Sequence, residues 1–247
     1  MKKYALKPLL ASLLLIGSCA AQAAHFEVLS YNASSRYTGT VDFNDFAFLG
    51  SDVSGGGDFG TMASGGEIAA DYEHGGFAYG GFIGGSMIDL STSVAFNSAS
   101  AIEYFGTATA VEKTIQLKVV ADAGDLGSQV NVSFAGLSSA FDGLAGATGS
   151  FQTSIRILNG SSVLGSYSTN QLTDQNINFA FLAQANDILT LSASQGVHMN
   201  ASGPIDASLT GMLNGQLTVT AVPEPDQYAM LLAGLGLLGV AARRRAR

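Results

Sequence analysis

Residues 114–119 read Thr-Ile-Gln-Leu-Lys-Val, an unbroken alternation that puts Ile115, Leu117 and Val119 on one side. A period of two fits a strand with one buried face and does not fit a helix. The habit recurs. Val130, Val132 and Phe134 alternate within residues 129–134, and Ile177, Phe179 and Phe181 within 176–181. Residues 26–31 and 37–43 alternate less cleanly. Ile188 alternates with Thr190 after an Asn186-Asp187 turn. No long stretch carries a helical period, so the core must come from strands. We expect an all-β fold: one antiparallel β-sandwich, jelly-roll-like.

Turn residues divide these runs. Asn159-Gly160 sits between residues 151–158 and 162–169. Both central residues of a type I′ turn need positive φ, which Asn-Gly supplies, so a hairpin is expected there. Asn214-Gly215, between 209–213 and 216–221, predicts a second hairpin by the same rule. Thirteen glycines crowd residues 50–85, with Phe77, Tyr79, Phe82 and Ile83 among the later pairs. That region reads as a long loop or irregular, bulged strands. An exposed aromatic platform for sugar is the functional alternative. Residues 64–70 could form one helical turn. Gly55-Gly56-Gly57-Asp58-Phe59-Gly60 matches a dinucleotide fingerprint in form only, since no helix pattern follows it.

The two ends of the chain differ from its middle. Lys2, Lys3 and Lys7 precede a short apolar run, residues 9–16, and then Ala21-Gln22-Ala23. A basic start, an apolar segment and an A-x-A site describe a secretory signal peptide, residues 1–23. Cys19, the only cysteine, follows Ile16-Gly17-Ser18, a tolerable lipobox, so a lipidated envelope protein is a competing reading. At the other end Val222-Pro223-Glu224-Pro225 is a stiff extended peptide, because each proline fixes its own φ and extends the residue before it. Residues 228–242 follow without a charge, and Arg243, Arg244, Arg245 and Arg247 close the chain. This predicts one transmembrane helix in the precursor, slightly short of the ~20 residues that span a bilayer, with its arginines on the cytoplasmic side.

The order of motif, apolar helix and arginine cluster resembles the PEP-CTERM sorting signal, here residues 222–247. The resemblance covers about a tenth of the chain. It implies recognition by an exosortase, a membrane protease that would cut near Pro223–Pro225. The helix would then be a transient inner-membrane anchor and the mature protein would reach the cell surface or the medium. Proteins of this family are associated with exopolysaccharide and biofilm.

Without its ends the secreted domain, residues 24–221, has a different charge. Of 19 acidic residues only Glu224 and Asp226 lie in the tail, leaving 17. The basic residues that remain are Arg36, Lys113, Lys118 and Arg156, for a net charge near −13. Such a surface repels nucleic acid and anionic membranes and attracts divalent cations. Cleavage at Ala23 also leaves no cysteine, so no disulfide supports the fold.

Few residues suggest chemistry. Asp71, Glu73 and His74 form the densest ionisable cluster. In a strand Asp71 and Glu73 would share a face and His74 would point away; in a turn all three could meet on a metal. Asp42, Asn44 and Asp45, or Asp122 and Asp125, could offer oxygens to Ca²⁺ without matching an EF-hand. No other cofactor is evident. The chain lacks tryptophan, though Tyr and Phe can stack on sugars. The expectation is a non-catalytic surface or matrix protein. A secreted glycan-active enzyme using Asp71 and Glu73 is the alternative, and needs two carboxylates in glycosidase geometry.

Overall fold

The computed structural model describes residues 24–55, 58–121, 129–222, 232–236 and 243. Several expected features fall outside these residues: Ala21, Ala23 and Cys19 at one end, Pro223, Glu224, Pro225, Arg244, Arg245 and Arg247 at the other, and Asp122 and Asp125 between. No helix among the described residues is long and apolar enough to cross a membrane. Residues 232–236 and Arg243 are helical.

Among the described residues thirteen antiparallel strands form two sheets. The first holds β1 (His25–Val41), β2 (Asn44–Leu49), β7 (Glu103–Val120), β9 (Thr148–Asn159), β10 (Ser162–Thr169) and β12 (Ile188–Ser202). Its order is β10-β9-β12-β7-β1-β2. The second holds β3 (Ser51–Gly55), β4 (Asp58–Ile68), β5 (Tyr72–Ile83), β6 (Met87–Ser98), β8 (Gln129–Gly143), β11 (Gln175–Gln184) and β13 (Ile205–Ala221), in the order β11-β8-β13-β6-β5-β4-β3. The last eight strands nest as ribbons, β6 with β13, β7 with β12, β8 with β11 and β9 with β10. This ribbon folds over so that alternate pairs fall in opposite sheets, which is the jelly-roll arrangement of a double-sheet sandwich. β1 and β2 widen one sheet, and β3, β4 and β5 widen the other.

The strands are long. At about 3.3 Å per residue β13 extends roughly 55 Å, and the core divides along that length. One end is mainly aliphatic, with Leu90, Ile115, Leu117, Val130, Val132, Ile155, Ile157, Leu191 and Leu213 all buried around the rings of Phe82 and Phe134. The other holds Tyr37, Phe96, Tyr104 and Phe151 among alanines. Between the two runs a transverse row of small and polar residues. Ser35, Ala110, Gln195 and Thr153 are neighbours across one sheet. Ala63, Ala78, Thr92, Gly211 and Ala140 are neighbours across the other. Gln195 Nε2 donates to Thr92 Oγ1 at 3.2 Å and ties the layers at this waist.

Several local expectations change. A hairpin does join β9 to β10, but its central pair is Gly160-Ser161: Asn159 ends β9 opposite Ser162, and Gly160 alone has positive φ, 57, in place of the expected pair at Asn159-Gly160. Asn214-Gly215 does not turn: both lie inside β13. A Cβ on Gly215 would overlap the Phe134 ring, so this glycine serves close packing and needs no positive φ. Ile188 faces outward, 48 % exposed, and Leu189 and Leu191 are the buried pair. The glycine-rich stretch is β3, β4 and β5, and residues 64–68 are strand with no helical turn. Its inward glycines clear space for aromatic rings of the facing sheet: a Cβ on Gly65 would strike Phe48, and one on Gly76 would strike Tyr37. Phe77 and Tyr79 lie on the outer face of β5 with ring centroids 6.5 Å apart and are half-buried.

Candidate functional site

The aromatic end carries both a buried polar network and a surface cleft, joined by Tyr104. Alternation along β5 turns His74 inward and Glu73 outward, the strand geometry expected for that pair. His74 is 4 % exposed. Its Nδ1 lies 2.9 Å from Tyr37 Oη, and Tyr37 Oη lies 3.0 Å from Tyr104 Oη. The pattern in which Tyr104 donates to Tyr37 and Tyr37 donates to Nδ1 leaves the imidazole proton on Nε2. Glu67 Oε2 is 4.0 Å from that nitrogen, on the neighbouring strand. Phe46 stacks on the imidazole at 4.4 Å between centroids, and Phe96 stacks on Tyr104 at 4.6 Å.

Burial dominates the electrostatics here. It lowers the His74 pKa below the ordinary imidazole value, and Glu67 opposes the shift. It pushes Tyr104 up to about 12, although its hydrogen bond with Tyr37 acts the other way, and raises Tyr37 further. At neutral pH all three groups are therefore uncharged. The network is a satisfied set of neutral hydrogen bonds, with no group poised near neutrality as a nucleophile.

Asp71 and Glu73 do not join His74. Asp71 is exposed in the turn before β5, where its carbonyl accepts from Ser98 Oγ at 3.0 Å. Asp42, Asn44 and Asp45 are exposed around the β1–β2 turn, and Asn44 Nδ2 donates to the Asp42 carbonyl at 3.2 Å. Among the described residues no three of His, Cys, Asp and Glu converge as a metal site would need.

Above Tyr104 a cleft of about 420 Å³ opens at the end of the first sheet. Its floor is an outward row of neighbours, Thr40, Phe105, Asn200 and Thr148, contributed by β1, β7, β12 and β9. Glu103 and Ser202, paired across β7 and β12, lie at its open end. One wall is Phe43 of the β1–β2 turn and the other is Gly146–Ala147 of the β8–β9 turn. The next outward row continues the polar surface with Thr38, Thr107, His198 and Ser150. His198 Nε2 accepts from Asn200 Nδ2, which leaves the proton on Nδ1 to donate to Thr107 Oγ1, each at 3.2 Å, and Phe105 meets its ring edge-on at 4.5 Å.

The sequence reading passed over this cleft. Its residues come from four strands and two turns, and none forms a local motif. Asp42-Phe43 falls within the alternating run read at residues 37–43, and only the structure ends β1 at Val41 and makes these two the turn.

The first and last strands of the sandwich begin and end at the opposite pole. His25 pairs with Val120 at the start of β1, and the Val222 amide donates to the Gln129 carbonyl at 3.2 Å. Both positions sit beside the aliphatic core, against which Phe26, Val28 and Val219 pack, at the end farthest from the cleft.

A PEP-CTERM protein-sorting motif matches residues 221–245. The chain therefore carries the sorting signal of an exosortase-processed, exported protein, with sorting by way of the membrane. No curated protein matches the chain. Two solved structures are similar at a low level. The structure of infectious bursal disease virus Gx strain is 10 % identical over 83 % of this chain and 73 % of that one, with a TM-score of 0.17. That of the Gt strain is 9 % identical over 94 % and 95 %, with a TM-score of 0.16. At such scores neither likeness supports an argument.

Proposed function

We propose that this chain is a non-catalytic surface or matrix protein, held briefly at the inner membrane and then released into the exopolysaccharide of a biofilm. The sorting motif at residues 221–245 carries this reading. Three features support it. His25 and Val222, next to which the two signals begin in the chain, lie at the aliphatic end, so a domain still tethered through Val222 would present its cleft about 55 Å farther out. The buried His74 network is neutral and hydrogen-bonded, which suits a scaffold. The acidic domain, near −13 without its ends, resists sticking to anionic membranes once released.

Fractionation of producing cells tests the reading. The full chain should be recovered from the matrix fraction at a mass lacking the residues beyond the motif. A form ending at Ala221 should be exported but depleted from that fraction. Equal recovery of both forms in the matrix would remove the role assigned to the tail. Asp71→Ala and Glu73→Ala should leave any glycan-degrading activity of the preparation unchanged.

A further inference from the structure

We infer that the distal cleft is a binding site for an uncharged glycan chain, with pyranose rings laid over Phe105 and against Phe43. It rests on the exported placement proposed above for access to such a polymer, and on geometry for the rest.

Phe43 is the first observation. The β1–β2 turn has φ 46 at Asp42 and φ 66 at Phe43, both in the left-handed region. That turn favours Asn, Asp and Gly, and a bulky side chain there is an outlier. The ring gains nothing from burial, being 87 % exposed. A strained backbone that holds an apolar ring in water is a feature that folding alone does not explain, and such positions concentrate at binding sites. The ring forms a wall of the cleft.

The floor supplies the second. Phe105 is 41 % exposed on an outward strand position that alternation otherwise gives to Thr, Asn and His. Its orientation is fixed by His198, which is itself held at both nitrogens. An aromatic surface with hydroxyl and amide groups around it matches a pyranose, which has apolar C–H faces and a hydroxyl rim. Asn200 offers a donor and an acceptor to a diol. Glu103 accepts from hydroxyls, and Thr40, Thr148 and Ser202 can do either. The row from β1 to β9 crosses four strands, about 14 Å, so more than one ring can lie along it.

Charge selects among glycans. Glu103 stands in the cleft, and the domain carries 17 acidic against four basic residues. An acidic polysaccharide would meet repulsion locally and at long range. No metal cluster among the described residues offsets it.

The test titrates the purified full chain, in mild detergent, with cellohexaose, chitohexaose and maltohexaose, and with an oligogalacturonate of equal length. At least one uncharged hexasaccharide should bind. Phe105→Ala and Phe43→Gly should each weaken it roughly tenfold. Phe43→Gly should melt no lower than the parent, since glycine relieves the turn, so its loss of binding cannot be unfolding. The proposal is overturned if none of the three binds, if binding survives both substitutions, or if the oligogalacturonate binds better. Matrix recovery of the chain without hexasaccharide binding would overturn this site alone. Binding without tail-dependent recovery would overturn only the sorting account.

Discussion

The two ends of this sandwich are built by the same strands and differ in what they bury. β7 contributes Ile115, Leu117 and Val119 to one end and Tyr104 and Ala108 to the other; β12 contributes Leu189 and Leu191 to one and Met199 and Ala201 to the other. The aliphatic end is ordinary close packing of branched side chains, with both chain termini of the domain beside it. The distal end trades aliphatic volume for alanines, aromatic rings and a chain of three polar groups linked through Tyr37, and it keeps a strained turn. The waist of Gln195, Thr92, Gly211 and their neighbours separates the two. Stability and recognition are thus assigned to opposite poles of one fold, and the strands do not have to compromise at each position.

Substitutions can break this division. The largest effect is expected from Leu117→Ala, 1 % exposed in the aliphatic end. It should cost about 2–5 kcal/mol in denaturant unfolding, since a lost side chain and a cavity both count, while hexasaccharide affinity of the folded fraction holds. Next is Gly76→Ala, whose Cβ would overlap the Tyr37 ring. Overpacking there should cost about 1–3 kcal/mol and disturb Tyr104 beneath the cleft. It should therefore weaken binding as well, and a variant with unaltered affinity would show the cleft floor to be independent of the network. Phe43→Gly should raise stability by about 1 kcal/mol by removing left-handed strain. A fall in its melting temperature would mean that the ring contributes to folding after all.

The smallest effect is a pH dependence. Burial leaves the His74 pKa lower in the folded than in the unfolded chain. The folded state therefore binds fewer protons, and stability rises with pH. This contribution is whole above about pH 6.5 and is lost as the pH falls from there toward the depressed folded value. Asp89, in β6 toward the aliphatic end, has the opposite sign: burial raises its carboxyl, so acidification toward about pH 4 relieves it. Unfolding free energies followed from roughly pH 7 to roughly pH 5 should decline less in His74→Gln than in the parent. Equal declines would remove His74 as the titrating group.

Much of the aliphatic end was legible, and little of the distal end. Strict alternation around Leu117 and Val132 identifies strands because one buried face imposes a period of two. It failed at Ile188, where a run with apolar residues on both faces offers two registers and only the partner strands choose. Asn159-Gly160 and Asn214-Gly215 are the same dipeptide with different fates. Gly160 needs positive φ at the first, whereas at the second the Phe134 ring on the adjacent strand β8 needs the space. The glycines between Gly50 and Gly85 look like a loop for the same reason: room for Phe48 and Tyr37 is a demand made by the other sheet. The cleft was hidden more deeply, since Thr40, Phe105, Asn200 and Thr148 become a row only through strand register. Only the sorting tail, a signal read locally by another protein, could be taken straight from the sequence.

One paired measurement bears most directly on this division of labour: unfolding free energy and hexasaccharide affinity, determined together for Leu117→Ala and Phe105→Ala. The account predicts that Leu117→Ala loses stability and keeps affinity, and that Phe105→Ala keeps stability and loses affinity. If both variants lose both properties in proportion, or if Phe105→Ala binds as the parent does, the two poles are not specialised and the assignment of the cleft is wrong.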